Sequence, residues 1–243
     1  MKIALCISGQ PRLVKTGFLS HQKFILNKYD TDVFIHTWYD ENKDKLNECG
    51  GEYEMNQTVI DDVLNLYKPV KVIVENQRTD LTEITHNHPG PPIFPQVSMF
   101  YSMMKSNDLK IEHENENNFK YDVVIRSRFD SGLLKEIDLT IIKPNTVVGI
   151  DAIDSELLCD WLFYGDSETM DKMVDIYDHL ITLKENIITF CGENLLWANK
   201  EKHSISVEKL YPNQQGESLV LIRNTEPISG SWKSEKSVLE LLS

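Results

Sequence analysis

The chain opens with alternating strand-like and helix-like segments, and that alternation limits the folds open to it more than any other feature. Residues 2–7 form an apolar run that reads as a buried strand, closed by the turn Ser8-Gly9-Gln10-Pro11. A helical stretch over 14–29 follows, with Phe18 and Ile25 on one face, and then a β-branched and aromatic run over 32–38. Val59, Val63, Leu64 and Tyr67 recur at helical spacing; Pro69 ends that helix before a third strand over 70–74. A β-α-β-α-β order means crossover connections and a sheet covered by helices. The expected fold class is α/β: a Rossmann-like domain with a mixed, parallel-rich central sheet flanked by helices.

The remainder extends this pattern. A Pro- and His-containing loop over 75–95 precedes a long helix expected over 96–115. Residues 121–128 are the clearest strand of the chain and run into Asp130; further strands are expected over 146–150, 161–164, 205–209 and 219–223. Ser167 is expected to cap a helix whose apolar stripe is Met170, Met173, Val174, Tyr177 and Ile181. Another helix starts near Glu193, and a short one over 234–242 closes the chain. No repeat or long flexible linker divides the sequence, so residues 1–243 are expected to be one unit.

Composition excludes several functions. With 243 residues and 41% hydrophobic content a sizeable core is available. A formal net charge of −13 without any Lys/Arg run argues against nucleic-acid binding, although a few local cations can still attract a small anion. The four cysteines form no CxxC pair, which argues against zinc ribbons, redox pairs and a disulfide framework. Neither a signal-like leader nor a membrane-length apolar segment is visible, so a cytoplasmic protein without a membrane span is expected, in the host cytoplasm if the chain is viral.

In open α/β sheets ligands bind beyond the carboxyl ends of the strands. The first strand ends in Ser8-Gly9-Gln10-Pro11-Arg12, where Gly9 permits close backbone approach and Arg12 brings a cation to the start of a helix. An ordinary turn reads the same way, and the segment is neither a GxGxxG nor a Walker pattern. On a strand of period two, Arg126, Arg128 and Asp130 share one face while Ile125, Ser127 and Phe129 take the other. Such charges are costly to bury without partners. A diphosphate with a divalent cation would supply them, and so would an internal Arg–Asp ion pair.

Ser98, Tyr101, Ser102 and Lys105 share a helix face. Asp151, Asp154, Glu156, Asp160 and Glu193 are the carboxylates placed to act as a base, Glu193 at a helix start where it also suits the helix dipole. His86 and His88 lack a nearby third ligand for zinc, His36 reads as a sheet residue, and no GxSxG elbow is present.

The run YDVVIRSRFD, followed by DWLFYGDSETMDKM and GENLLW and preceded by ALCISGQPR and DVFIHTW, resembles small GT-A-type glycosyltransferases, the bacterial and viral enzymes that build surface glycans. The likeness covers residues 2–209. It implies a hexosyl- or pentosyltransferase moving sugar from a nucleotide-diphosphate-sugar donor to a glycan acceptor hydroxyl. Residues 1–130 would then be the nucleotide-sugar-binding half and residues 131–243 the acceptor side. Donor contacts carried over are Ser8, Gly9, Arg12, Tyr101, Arg126, Arg128 and Asp130. Asp130 would ligate Mn²⁺ or Mg²⁺, and Glu193 or Asp160 would serve the acceptor as catalytic residues. The sequence departs from the family at one point: the usual DxD has two carboxylates, whereas this chain has Arg128-Phe129-Asp130, which leaves an arginine as the alternative partner of the leaving diphosphate. A nucleotidyltransferase that makes activated sugars is an alternative, weakened by the single Arg12 after the first strand. A non-catalytic glycan- or nucleotide-binding module is another.

Overall fold

The structure, a computed structural model, describes residues 1–48, 51–78, 93–151, 157–211, 216–225 and 230–243. Strand β1 (Ile3–Gly9) pairs in parallel with β2 (Thr31–Trp38) on one side and with β6 (Val123–Ser127) on the other. Strand β5 (Lys71–Glu75) extends the sheet beyond β2, also in parallel. Beyond β6 the direction reverses: β9 (Leu158–Gly165) runs antiparallel to both β6 and β8 (Thr146–Asp151), and β10 (Ser206–Lys209) lies parallel to β8. The seven-stranded order is β5-β2-β1-β6-β9-β8-β10. The expected mixed, parallel-rich sheet is therefore present, and it draws strands from both halves of the chain.

Burial on both faces explains the continuous apolar runs of the inner strands. Ile3, Leu5 and Ile7 of β1 pack with α1 (Val14–His21) and α2 (Gln57–Tyr67), while Ala4 and Cys6 face the opposite layer. That second layer contains α3 (Ile93–Asn117), α4 (Ser167–Met173), α5 (Ile176–Leu183) and α6 (Gly192–Lys202). Lys110 of α3 is fully buried there, bonded to Glu114 (3.2 Å), Ser167 (2.7 Å) and Asp171 (2.5 Å), so its charge is neutralised between α3 and α4.

Several expectations about local structure are corrected. The helix expected over 14–29 stops being α-helical at His21 and continues as a π-helical turn, Gln22–Leu26. The helix expected from Ser167 through Ile181 is broken around Asp175, whose carboxylate accepts from Asn199 and pairs with His203. Asp166 caps α4 by accepting from the Thr169 amide at 2.9 Å, and Ser167 instead joins the Lys110–Glu114 cluster. Helix α3 begins at Ile93, with Pro95 in the first turn, where a missing N–H costs no intrahelical bond. His86, His88, Asp154 and Glu156 lie outside the described residues.

Two small sheets were not anticipated. A hairpin joins β3 (Lys45–Glu48) to β4 (Gly51–Glu54), and a three-stranded sheet has the order β12 (Trp232–Ser234), β11 (Leu219–Arg223), β7 (Ser131–Leu133). Helix α7 (Glu235–Leu242) packs on the latter through Val238, which meets Val220 and Ile222. No helix among the described residues is long and apolar enough to cross a membrane.

Candidate functional site

Since β1 has β2 on one side and β6 on the other, the crossovers diverge there and open a crevice at the carboxyl ends of β1 and β6. A cleft of about 420 Å³ occupies that position, within the range of small-molecule sites. Ser8, Gly9 and Arg12 enter it from the end of β1, and Arg126, Arg128 and Asp130 from the end of β6. The reversal of β9 carries its first residues to the same edge, which brings in Asp160; α6 adds Glu193. Gly9 has φ +111°, a conformation an L side chain rarely adopts, and no atom lies within 4 Å of where its Cβ would stand. The period-two expectation also holds in the interior: Ser127 turns away from the cleft to the buried His21 (2.8 Å), and Phe129 packs edge-on to Tyr67.

Asp130 is the electrostatic centre of the cleft. Its Oδ1 accepts from Arg128 Nε at 2.9 Å; its Oδ2 lies 3.1 Å from Arg128 Nη2, 3.0 Å from Arg12 Nη2 and 2.9 Å from Arg223 Nη1. Only 1% of Asp130 is exposed. Burial alone would raise its pKa, but the guanidinium groups of Arg128, Arg12 and Arg223 prevail and hold the carboxyl well below the usual carboxylate range. The backbone fixes the same residue: the Asp130 carbonyl accepts from the Ile222 amide at 2.8 Å, which ties the end of β6 to β11. The ring of Tyr53, from the β3–β4 hairpin, lies 5.6 Å from the Arg12 guanidinium carbon, and that of Trp232 lies 4.7 Å from the carbon of Arg223.

This donor set does not suit a metal at Asp130. An ionised carboxylate offers about four acceptor positions, and guanidinium N–H groups occupy four contacts on these two oxygens. A dication placed there would also face three like charges. Among the described residues no group of three or more His, Cys, Asp or Glu side chains is arranged to hold a metal ion.

Arg126 differs from its neighbours. It is 1% exposed; one Nη donates to the Asp160 carbonyl, but Nε and the other Nη have no hydrogen-bond partner. Burial pushes its pKa down to about 10, so it remains a cation at neutral pH. Ser8 Oγ, Gln10 Oε1, Gln96 Oε1 and Arg223 Nε are likewise buried and unbonded, and their residues all line the cleft. Buried polar atoms are rarely left unmet, and the clustering of these around one cavity leaves hydrogen-bonding capacity there for water or a polar ligand.

The acidic side of the cleft is formed by Asp160 and Glu193. Gly192 lets them approach: a Cβ there would stand 2.8 Å from Asp160 Oδ2. Burial, and then the nearby Asp160 charge, raise the Glu193 pKa. Asp151 is not part of this group; it is ion-paired with Lys209 of β10.

Tyr101 departs from expectation. It does not line the cleft but stacks behind Trp38, 5.5 Å between ring centres, in the α3 core. Trp38 takes the lining position, and Ser98 is the member of that helix face that reaches the cleft. A chain of amides crosses the strand ends there, Gln10 to Gln77 (2.7 Å) and Gln77 to Ser98 (2.8 Å). A recess of about 180 Å³ shares Gln10, Trp38, Gln77 and Phe94 with the cleft. Sequence reasoning missed Arg223, Trp38 and Gln77. For Arg223 the signal was available, because it ends the apolar strand LVLIR just as Arg126 and Arg128 end theirs.

A family model for a domain of unknown function, DUF7796, matches residues 1–184, and the chain belongs to that family. The matched span contains Asp130, Arg126 and Asp160, whereas Glu193 and Arg223 follow it. A search of curated proteins finds no match.

Proposed function

We propose that this chain is a glycosyltransferase that moves a sugar from a nucleotide-diphosphate-sugar donor to a hydroxyl of a glycan acceptor. The observation that carries the reading is the convergence, in one cleft at the sheet's switch point, of buried unpaired cationic donors with a pair of carboxylates. Transfer needs both. The acceptor oxygen bonds to the anomeric carbon as the bond from that carbon to the diphosphate oxygen breaks, and that electron pair leaves with the diphosphate. Arg126, Ser8 and the fixed Arg128 would receive the departing charge. The acceptor proton would pass to Glu193, whose pKa is raised by burial and by the nearby Asp160 charge, with Asp160 orienting the hydroxyl. Phe94, beside the Gln10–Gln77 amides, offers the apolar surface and amide groups that a nucleobase requires.

Thermal unfolding with UDP, GDP and CMP tests the reading. A ligand at 100 times its Kd adds about 2.7 kcal/mol, which in a chain of this size raises the midpoint by roughly 5–10 °C. The expected result is a shift with one nucleotide. No shift with any of them would remove the basis for a nucleotide-sugar donor.

A further inference from the structure

We infer that the site binds diphosphate without a divalent cation, with Asp130 acting as the internal counter-ion of an arginine cage and Arg126 as the direct phosphate ligand. The inference rests on the nucleotide-sugar reading and adds to it the means of charge neutralisation. The resemblance that led to that reading places a metal at Asp130, and the geometry disagrees. Both Asp130 oxygens are taken by Arg128, and Oδ2 also meets Arg12 and Arg223, the four contacts lying between 2.9 and 3.1 Å. A metal at Asp130 would have to displace at least one of these guanidinium contacts.

The carboxylate has a different use in this arrangement. It gathers three arginines from three separate elements, the β1–α1 turn, the end of β6 and the end of β11, which would otherwise repel one another. Asp130 offsets one of the three charges of the cage and Arg126 adds a fourth, so with Asp160 and Glu193 in the same cleft four cations meet three carboxylates. Arg126 is the cation with donors to spare: Nε and one Nη are buried and unbonded, and the residue lines the cleft together with Ser8 and Arg223, whose Oγ and Nε are unbonded too. A planar guanidinium with two free N–H directions matches two phosphate oxygens. A diphosphate is thus the class of anion that meets the unpaired donors and offsets the excess charge together, and a metal would compete for the same place.

Calorimetric titration of UDP, GDP and inorganic pyrophosphate into the full chain tests this, once in EDTA after metal removal and once in Mn²⁺. The expected result is binding of one nucleotide with a Kd that agrees within about threefold between the two conditions. Arg126→Met should weaken that binding roughly 10- to 100-fold, as loss of a charged hydrogen bond does, and Arg126→Lys should recover part of it. Arg126→Met should melt close to wild type, because the one bond it gives up, to the Asp160 carbonyl, is offset by removal of a buried charge with two N–H groups unbonded, and that measurement separates lost binding from lost folding. Nucleotide binding seen only with Mn²⁺ would overturn the inference and leave the transferase reading standing. Unchanged binding by Arg126→Met would also overturn it. Absence of binding in both conditions would sink the inference and the nucleotide-sugar reading together.

Discussion

Arg223 Nη1 lies 2.9 Å from Asp130 Oδ2, so the last residue of β11 is bonded across 93 positions of sequence to a residue three places beyond the end of β6. This contact fastens the small three-stranded sheet to the central one and completes the arginine cage. Asp130→Asn would remove the one carboxylate that three guanidiniums share. Breaking a buried pair from one side costs about 3–5 kcal/mol. Chemical denaturation should show that loss equally in EDTA and in Mn²⁺. A variant as stable as wild type would mean the cage contributes nothing to folding.

His21 gives the fold a dependence on mild acid. Its ring nitrogens bond to Tyr67 (2.9 Å) and Ser127 (2.8 Å), and burial lowers its pKa to about 4. In the unfolded chain the imidazole takes up a proton near pH 6.5. Between these values the unfolded state holds the extra proton, so stability falls as pH drops from about 6.5 towards 4, by up to about 3 kcal/mol from this residue. The buried His36, whose pKa is also lowered by burial, acts in the same direction. Unfolding midpoints measured across this window should slope less in His21→Gln than in wild type; identical slopes would remove His21 as the source.

Gly17 is where α1 meets the site. A Cβ there would stand 1.7 Å from the Phe129 carbonyl oxygen, backbone that cannot step aside cheaply. Gly17→Ala should cost about 1–3 kcal/mol or more. Because Phe129 precedes Asp130, nucleotide affinity should fall with it. A neutral substitution on both counts would show that α1 does not set the position of Asp130.

The sequence carried the sheet class and most of the site, for identifiable reasons. The β1, β2 and β6 strands are long apolar runs, and Arg126, Arg128 and Asp130 stand out because charges are costly at the end of such a strand. The pairing of Arg128 with Asp130 is local, and the shared strand face already allows an internal Arg–Asp ion pair. The other partners were not legible: Arg12 and Arg223 meet Asp130 through chain crossings that local periodicity does not encode, and β7 and β12 have three residues each, too few to display a period. Tyr101 was misplaced because a helix face shows only what points one way. It cannot show that Trp38, from a strand, comes between that face and the cleft.

Glu193 should govern the pH dependence of turnover. Its pKa is raised by burial and by Asp160, so the rate should rise with pH through a range above that of an ordinary glutamate, about 4.3. Glu193→Gln should lower kcat by about 10²- to 10⁴-fold and abolish that rise. A pH profile retained in the variant would assign the titration to another group.

Transfer and simple binding are separated by release of nucleoside diphosphate from a panel of UDP- and GDP-linked sugars, with water or added sugars as acceptor. Wild type should consume one donor, Glu193→Gln should be nearly silent while still binding it, and Arg126→Met should be impaired in both binding and turnover. Tight donor binding by wild type with no release from any member of the panel would contradict the transferase account and make the chain a nucleotide-sugar-binding module.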